Sequence, residues 1–180
     1  NAVFELNGPK RSVFKNVLLE QQGSSSIVEL NKGTLELDRC RVIGDQGSSI
    51  VVNRASVISR SNIHVATLGA TIFELKASKL ISLSDTRVGT GSFIGAVGAY
   101  VELQGFFANE SGTLLDLSES EVILFDPNVS VGEKIKASGI SKVEVRDMVD
   151  AKQMLDFDLT KDAILILNGE KVRYKEVALK

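Results

Sequence analysis

Three basic side chains recur at one interval: Arg41, His64 and Arg87 are 23 positions apart. If the chain completes one structural repeat in that distance, they stand in a row, about 5 Å apart, on one face. Such a row suits the cleavage of uronate-containing glycans. That reaction needs cations against the substrate carboxylate and a base for the neighbouring proton. Arg41 and Arg87 would bind carboxylates, and His64, the only histidine, would be the base. Without turnover, the same row would still bind an acidic sugar or another anion. The plainest reading is a solvated face, whose charges Glu36, Asp38 and Asp85 neutralise.

A second set is acidic. Glu5, Glu29, Glu74 and Asp116 hold one place in their repeats, with Val52 and Gly95 interrupting, so only Glu5 and Glu29 are neighbours. A calcium site gathers several oxygens from one loop, which this set does not do. Charged edges that discourage sideways aggregation explain it better. Gly89-Thr-Gly lacks the helix and lysine of a phosphate loop and reads as a turn. Asn109-Glu-Ser and Asn128-Val-Ser match the glycosylation sequon, and Phe106-Phe107 and Phe125 include outward aromatics that could form a partner surface or a sugar platform. No residue is assignable as catalytic, and neither a metal-ligand set nor a cofactor is expected.

Any row of this kind depends on the repeat that builds it. Apolar segments begin at Val3, Ile27, Ile50, Ile72, Phe93 and Leu114, with weaker copies at Ile135 and Leu155. Each is followed by a polar break and a second alternating run, as in Thr34–Val42. Self-similarity at about 20 to 24 residues marks a solenoid, because one repeat cannot bury its apolar face alone. Period-two alternation and Val, Ile, Ser and Thr enrichment indicate strands, and Gly- and Ser-rich turns separate them.

The expected fold is therefore all-β: a right-handed parallel β-helix of about 7–8 coils over residues 1–160. One interior column is expected to run Phe4, Val28, Val51, Phe73, Ile94, Leu115, and the next Leu6, Leu30, Asn53, Leu75, Ala96, Leu117. Asn53 interrupts an apolar column, so it either hydrogen-bonds along the stack or marks a register shift. In the second runs, Leu35, Leu37, Cys40 and Val42 take the inward phase, as do Ile81 and Leu83 in a later copy. Residues 161–180 read as a capping hairpin turning on Asn168-Gly169. A leucine-rich repeat lacks its signature here, and a β-sandwich would not require the copies to resemble one another.

Composition sets limits. A net charge of −2 argues against nucleic acid, and the short apolar runs argue against membrane insertion. Cys40, the only cysteine, reads as a buried thiol. The chain opens on Asn1, directly in a repeat, so upstream coils of a parent protein are the expected partner.

Coils such as IVELNKGTLELDRCRVIG and IFELKASKLISLSDTRVG resemble the pectate-lyase-like superfamily of parallel β-helices, nearest the chondroitinase B and alginate lyase group. The repeat is also similar to that of autotransporter passengers. The resemblance is one of repeat geometry, and no catalytic residue carries over. It implies a non-catalytic module of a larger secreted or cell-surface protein, supporting or binding polysaccharide, acidic polysaccharide among them, or a partner along its flank. Two alternatives are the C-terminal coils of a polysaccharide lyase and the stalk of an adhesin.

Overall fold

Successive copies of one short apolar segment lie on top of one another, and that stacking is the architecture. The computed structural model describes residues 2–172, apart from the side chains of Val88 and Asn109. It is a parallel β-solenoid of about seven turns. The first strand of each coil joins an eight-stranded sheet: Phe4–Leu6, Val28–Leu30, Ser48–Asn53, Thr71–Lys76, Ser92–Val97, Thr113–Ser118, Glu133–Ser138 and Leu155–Leu159. The second runs build a thirteen-stranded sheet whose main path starts at Arg11–Lys15, Thr34–Asp38, Ser56–Ala66 and Lys79–Val88. A single turn of helix, Ala151–Met154, precedes the last strand of the first sheet.

Parallel register places equivalent side chains in columns. One interior column is Phe4, Val28, Ile50, Phe73, Ile94, Leu115, Ile135 and Phe157. The next is Leu6, Leu30, Val52, Leu75, Ala96, Leu117, Ala137 and Leu159. The third coil therefore sits one residue earlier than its sequence alignment implies, with Ile50 and Val52 inward in place of Val51 and Asn53. A one-residue slip reverses every side chain of a strand, and burial of Ile50 and Val52 decides between the two registers.

Asn53 is consequently free to join an external ladder. Its Nδ2 donates to Asn31 Oδ1 at 2.9 Å, and Asn31 Nδ2 donates to Asn7 Oδ1 at 2.8 Å.

Tight turns link the sheets. Arg54, Ala77, Gly98 and Glu119 take positive φ, and each precedes a buried small residue: Ala55, Ser78, Ala99 or Ser120. The Ser78 hydroxyl replaces a missing ladder partner, donating to Lys76 O and accepting from Ala55 N–H at 3.3 Å.

The second sheet contains a phase reversal. Along Lys79–Val88, Leu80, Ser82, Ser84 and Thr86 are buried, whereas Ile81 is half-buried on the outer face and Leu83 is 47% exposed there. Apolar content alone pointed Ile81 and Leu83 inward. Backbone pairing of Leu80 with Val57 and Val101 fixes the opposite phase.

At the C-terminal end, Ile164–Leu167 pairs in parallel with Lys142–Arg146 and antiparallel with Glu170–Val172. Asn168 and Gly169, both at positive φ, form the two-residue turn. Residues 173–180 of the expected hairpin lie outside the described residues.

Gly105 packs tightly against the neighbouring coil. It lies at φ +144°, and a Cβ there would collide with the carbonyl oxygen of Ser84. Gly105→Ala is expected to lower the unfolding free energy by about 2 kcal/mol or more. An unchanged urea midpoint would show that this corner is not constrained.

Candidate functional site

In each of the early coils the second run bends partway along. Asn16, Arg39 and Ser61 take positive φ, near 50°. Here the strand Ser56–Ala66 carries one more residue than Lys79–Val88: Arg60 faces Leu83 and Ile63 faces Asp85. That bulge opens the corner between the two halves of the sheet. A groove of about 570 Å³ lies there, lined by Ser61, Asn62, Ile63, Leu83, Ser84, Asp85, Gln104 and Gly105.

The groove has chemically distinct parts. Ile63 and Leu83, each 47% exposed, give it apolar walls. Asp85 accepts a hydrogen bond from Phe106 N–H at 3.2 Å, and its carboxylate stays exposed. One coil toward the N-terminus, Arg41 is in register with Ile63 and Arg60 with Leu83. Neighbouring coils lie about 4.8 Å apart, so the two arginines stand in the outer columns that continue into the groove walls, next to its lining but not part of it. Arg60 is ion-paired with Glu36 at 3.7 Å, and its side chain is 54% exposed.

A buried polar network supports the floor. Asn62 Nδ2 donates to Leu37 O at 2.9 Å and to Ser59 Oγ at 2.7 Å, while its Oδ1 accepts from Cys40 N–H at 2.6 Å. Ser84 Oγ accepts from Asn62 N–H and lies 3.2 Å from Ser59 Oγ. Ser59 Oγ is also 3.1 Å from His64 Nε2, and His64 Nδ1 is 3.3 Å from Thr86 Oγ1. The rings of Phe73 and Phe93 pack against the imidazole, with centroids 5.3 Å and 5.2 Å away. Loss of hydration inside this cluster drives the His64 pKa down to about 3, so the ring is neutral.

The expected row of Arg41, His64 and Arg87 does not form. Between neighbouring coils the register step here is 22 residues, so the column through Arg41 continues to Ile63 and Asp85. His64 belongs to the interior column of Val42 and Thr86 and is completely buried. Arg87 is exposed beside Val65, in a different outer column. Equal sequence spacing misled because this half of the strand steps by 22 residues per coil, so a 23-residue interval slips one position along the strand at each coil. Arg60 was missed, since nothing in the local sequence marks it out from other outward arginines.

The acidic set does share a column on the outer face of the first sheet. Glu5 pairs with Glu29, and the interruptions are Val51 and Gly95 in place of Val52 and Gly95. Above Gly95, between Glu74 and Asp116, lies a hollow of about 250 Å³. Glu74 is tied down by Lys76 at 2.7 Å and by the Ser48 hydroxyl, and the lysine contact holds its carboxyl below the usual range. Cys40 is buried, as its phase predicted.

Burial of His64 has a measurable consequence. Its folded pKa lies below the unfolded value of 6.5, so the unfolded chain takes up the proton first as pH falls. Its stabilising contribution is thus complete above pH 6.5 and is lost as pH drops from 6.5 toward 3. Between pH 6.5 and about 5, before carboxylates titrate, the unfolding free energy should fall by about 1.4 kcal/mol per pH unit. His64→Gln should flatten that slope. A wild-type chain with no slope in this window would contradict the neutral, buried imidazole.

No family model, no curated protein and no solved structure matches the chain.

Proposed function

We propose that this chain is a non-catalytic module of the pectate-lyase-like kind, part of a secreted or cell-surface protein, which holds acidic polysaccharide along its flank. The observation that carries the reading is the groove at the strand corner, whose wall residues Ile63 and Leu83 share outer columns with Arg41 and Arg60 of the preceding coils. Sugar rings offer an apolar C–H face and a rim of hydroxyls. Ile63 and Leu83 match the former, and Asp85, Gln104 and Ser61 match the latter. A uronate carboxylate over Arg41 and Arg60 would gain charge-assisted hydrogen bonds while its neighbouring hydroxyls donate to Asp85.

The lyase alternative loses its base. His64 faces the core with its proton affinity suppressed, and a base must reach the proton that it removes. Burial of His64 supports binding without turnover along this flank.

Titration with oligouronates, followed by amide chemical shifts, tests the reading. Shifts should concentrate at Ser61–Ile63, Leu83–Asp85 and Gln104. Arg41→Ala and Arg60→Ala should each weaken binding by about tenfold, the scale of one hydrogen bond to a charged group. Arg87→Ala should leave binding unchanged, because Arg87 lies in a separate column. Binding that ignores Arg41 and Arg60 would remove the groove from consideration. Appearance of an unsaturated uronate product would restore the enzyme.

A further inference from the structure

The two ends of the solenoid are not equivalent. In the last coil the interior side chains are covered: Leu155 is 1% exposed, Phe157 9%, Leu159 8% and Leu165 1%. In the first coil the same columns are open. Val3 is 72% exposed and Phe4 41%, whereas Val28, directly beneath Phe4, is fully buried. Val17 is 37% exposed although its ladder neighbour Cys40 is buried. Phe4 and Phe14 lie with ring centroids 5.1 Å apart across the mouth of the core.

Backbone and amide groups point the same way. Among the described residues, the strands Phe4–Leu6, Arg11–Lys15 and Leu18–Glu20 each pair on one side only, with Val28–Leu30, Thr34–Asp38 and Arg41–Gly44. The asparagine ladder runs from Asn53 through Asn31 to Asn7, each amide donating toward the first coil. Among the described residues, the Asn7 amide nitrogen that comes next in this series meets no acceptor. Apolar columns, ladder edges and a directed amide chain all end at one surface.

We propose that this end is a docking face for one further β-coil in parallel register, carrying apolar side chains above Phe4, Leu6 and Val17 and an amide oxygen above Asn7. The argument is continuity: the same interface already joins every pair of coils below it. Head-to-tail stacking of a second copy does not satisfy the surface. The opposite end of the second sheet is closed by the antiparallel strand Glu170–Val172, and its interior columns are covered.

The test places a copy of residues 27–48 directly ahead of Val3, so that Phe4 takes the place of Ile50 and coil phase is preserved. Amides of Phe4–Leu6 and Arg11–Lys15 should then exchange at least about tenfold more slowly, approaching those of Val28–Leu30 and Thr34–Asp38. A single unfolding transition at higher Tm should accompany this. An extension carrying Val28→Asp and Leu30→Asp in the copied coil should give neither effect. Unchanged exchange in the unaltered extension, or a lowered Tm, would overturn the proposal. So would concentration-dependent dimers of the unextended chain with the same amides protected, which would assign the face to a second copy. The glycan groove lies coils away, so oligouronate titration of each variant separates this outcome from failure of the proposed function.

Discussion

The parallel backbone ladder between coils is the constraint on which everything else depends. Once one coil hydrogen-bonds to the next in register, each side chain is committed to a column and a face. Packing then acts on columns, not on individual residues. Ile50 displaces Val51 from the core because it stands between Val28 and Phe73, both fully buried. Asn53, released to the outside by the same shift, lengthens the asparagine ladder. A polar residue that looked like a defect in the core thus becomes a bond between coils.

The same constraint explains a polar interior. In the middle coils the ladder turns Ser59, Asn62, His64, Ser82, Ser84 and Thr86 inward and leaves Ile63 and Leu83 outside. Buried polar groups are as a rule bonded, and this cluster is connected through Ser59 and Asn62 except at Ser82, whose buried hydroxyl meets no partner among the described residues. Neutral imidazole fits because it bonds to hydroxyls and stacks between phenylalanines without bringing in charge. The cost of the arrangement is carried by the outer surface, where apolar side chains meet solvent at the corner groove. Interior network and exterior groove share Asn62 and Ser84, so they are two faces of one local inversion.

Flank and end surfaces differ in what they offer. The groove combines apolar walls with a carboxylate, and its outer columns continue to two arginines, a mixture suited to a small polar ring or a chain of rings. The first-coil end offers unsatisfied strand edges and apolar columns, which suit another coil. Both follow from stacking: the flank repeats every coil with small variations, whereas the end exposes what all other coils hide.

Much was legible in the sequence. Segments starting at Val3, Ile27, Ile50, Ile72, Phe93 and Leu114 announce a stacked β-fold because burial demands the same apolar pattern in each coil. The turn at Asn168-Gly169 and the buried thiol of Cys40 were equally readable, since each rests on local backbone preference or phase. The adjacency of Glu5 and Glu29 followed from the same repeat. What tertiary structure alone decided is the register within each coil. A 22-residue step puts His64 inward above Val42 and sets Arg41 in the column of Ile63, so Arg41, His64 and Arg87 fall in three different columns. A single inserted residue inverts the face of a strand, and whether it is accommodated depends on hydrogen bonds to the coils above and below. Those bonds are long-range, so the repeat is written in the sequence while the membership of each column is settled only when the coils stack.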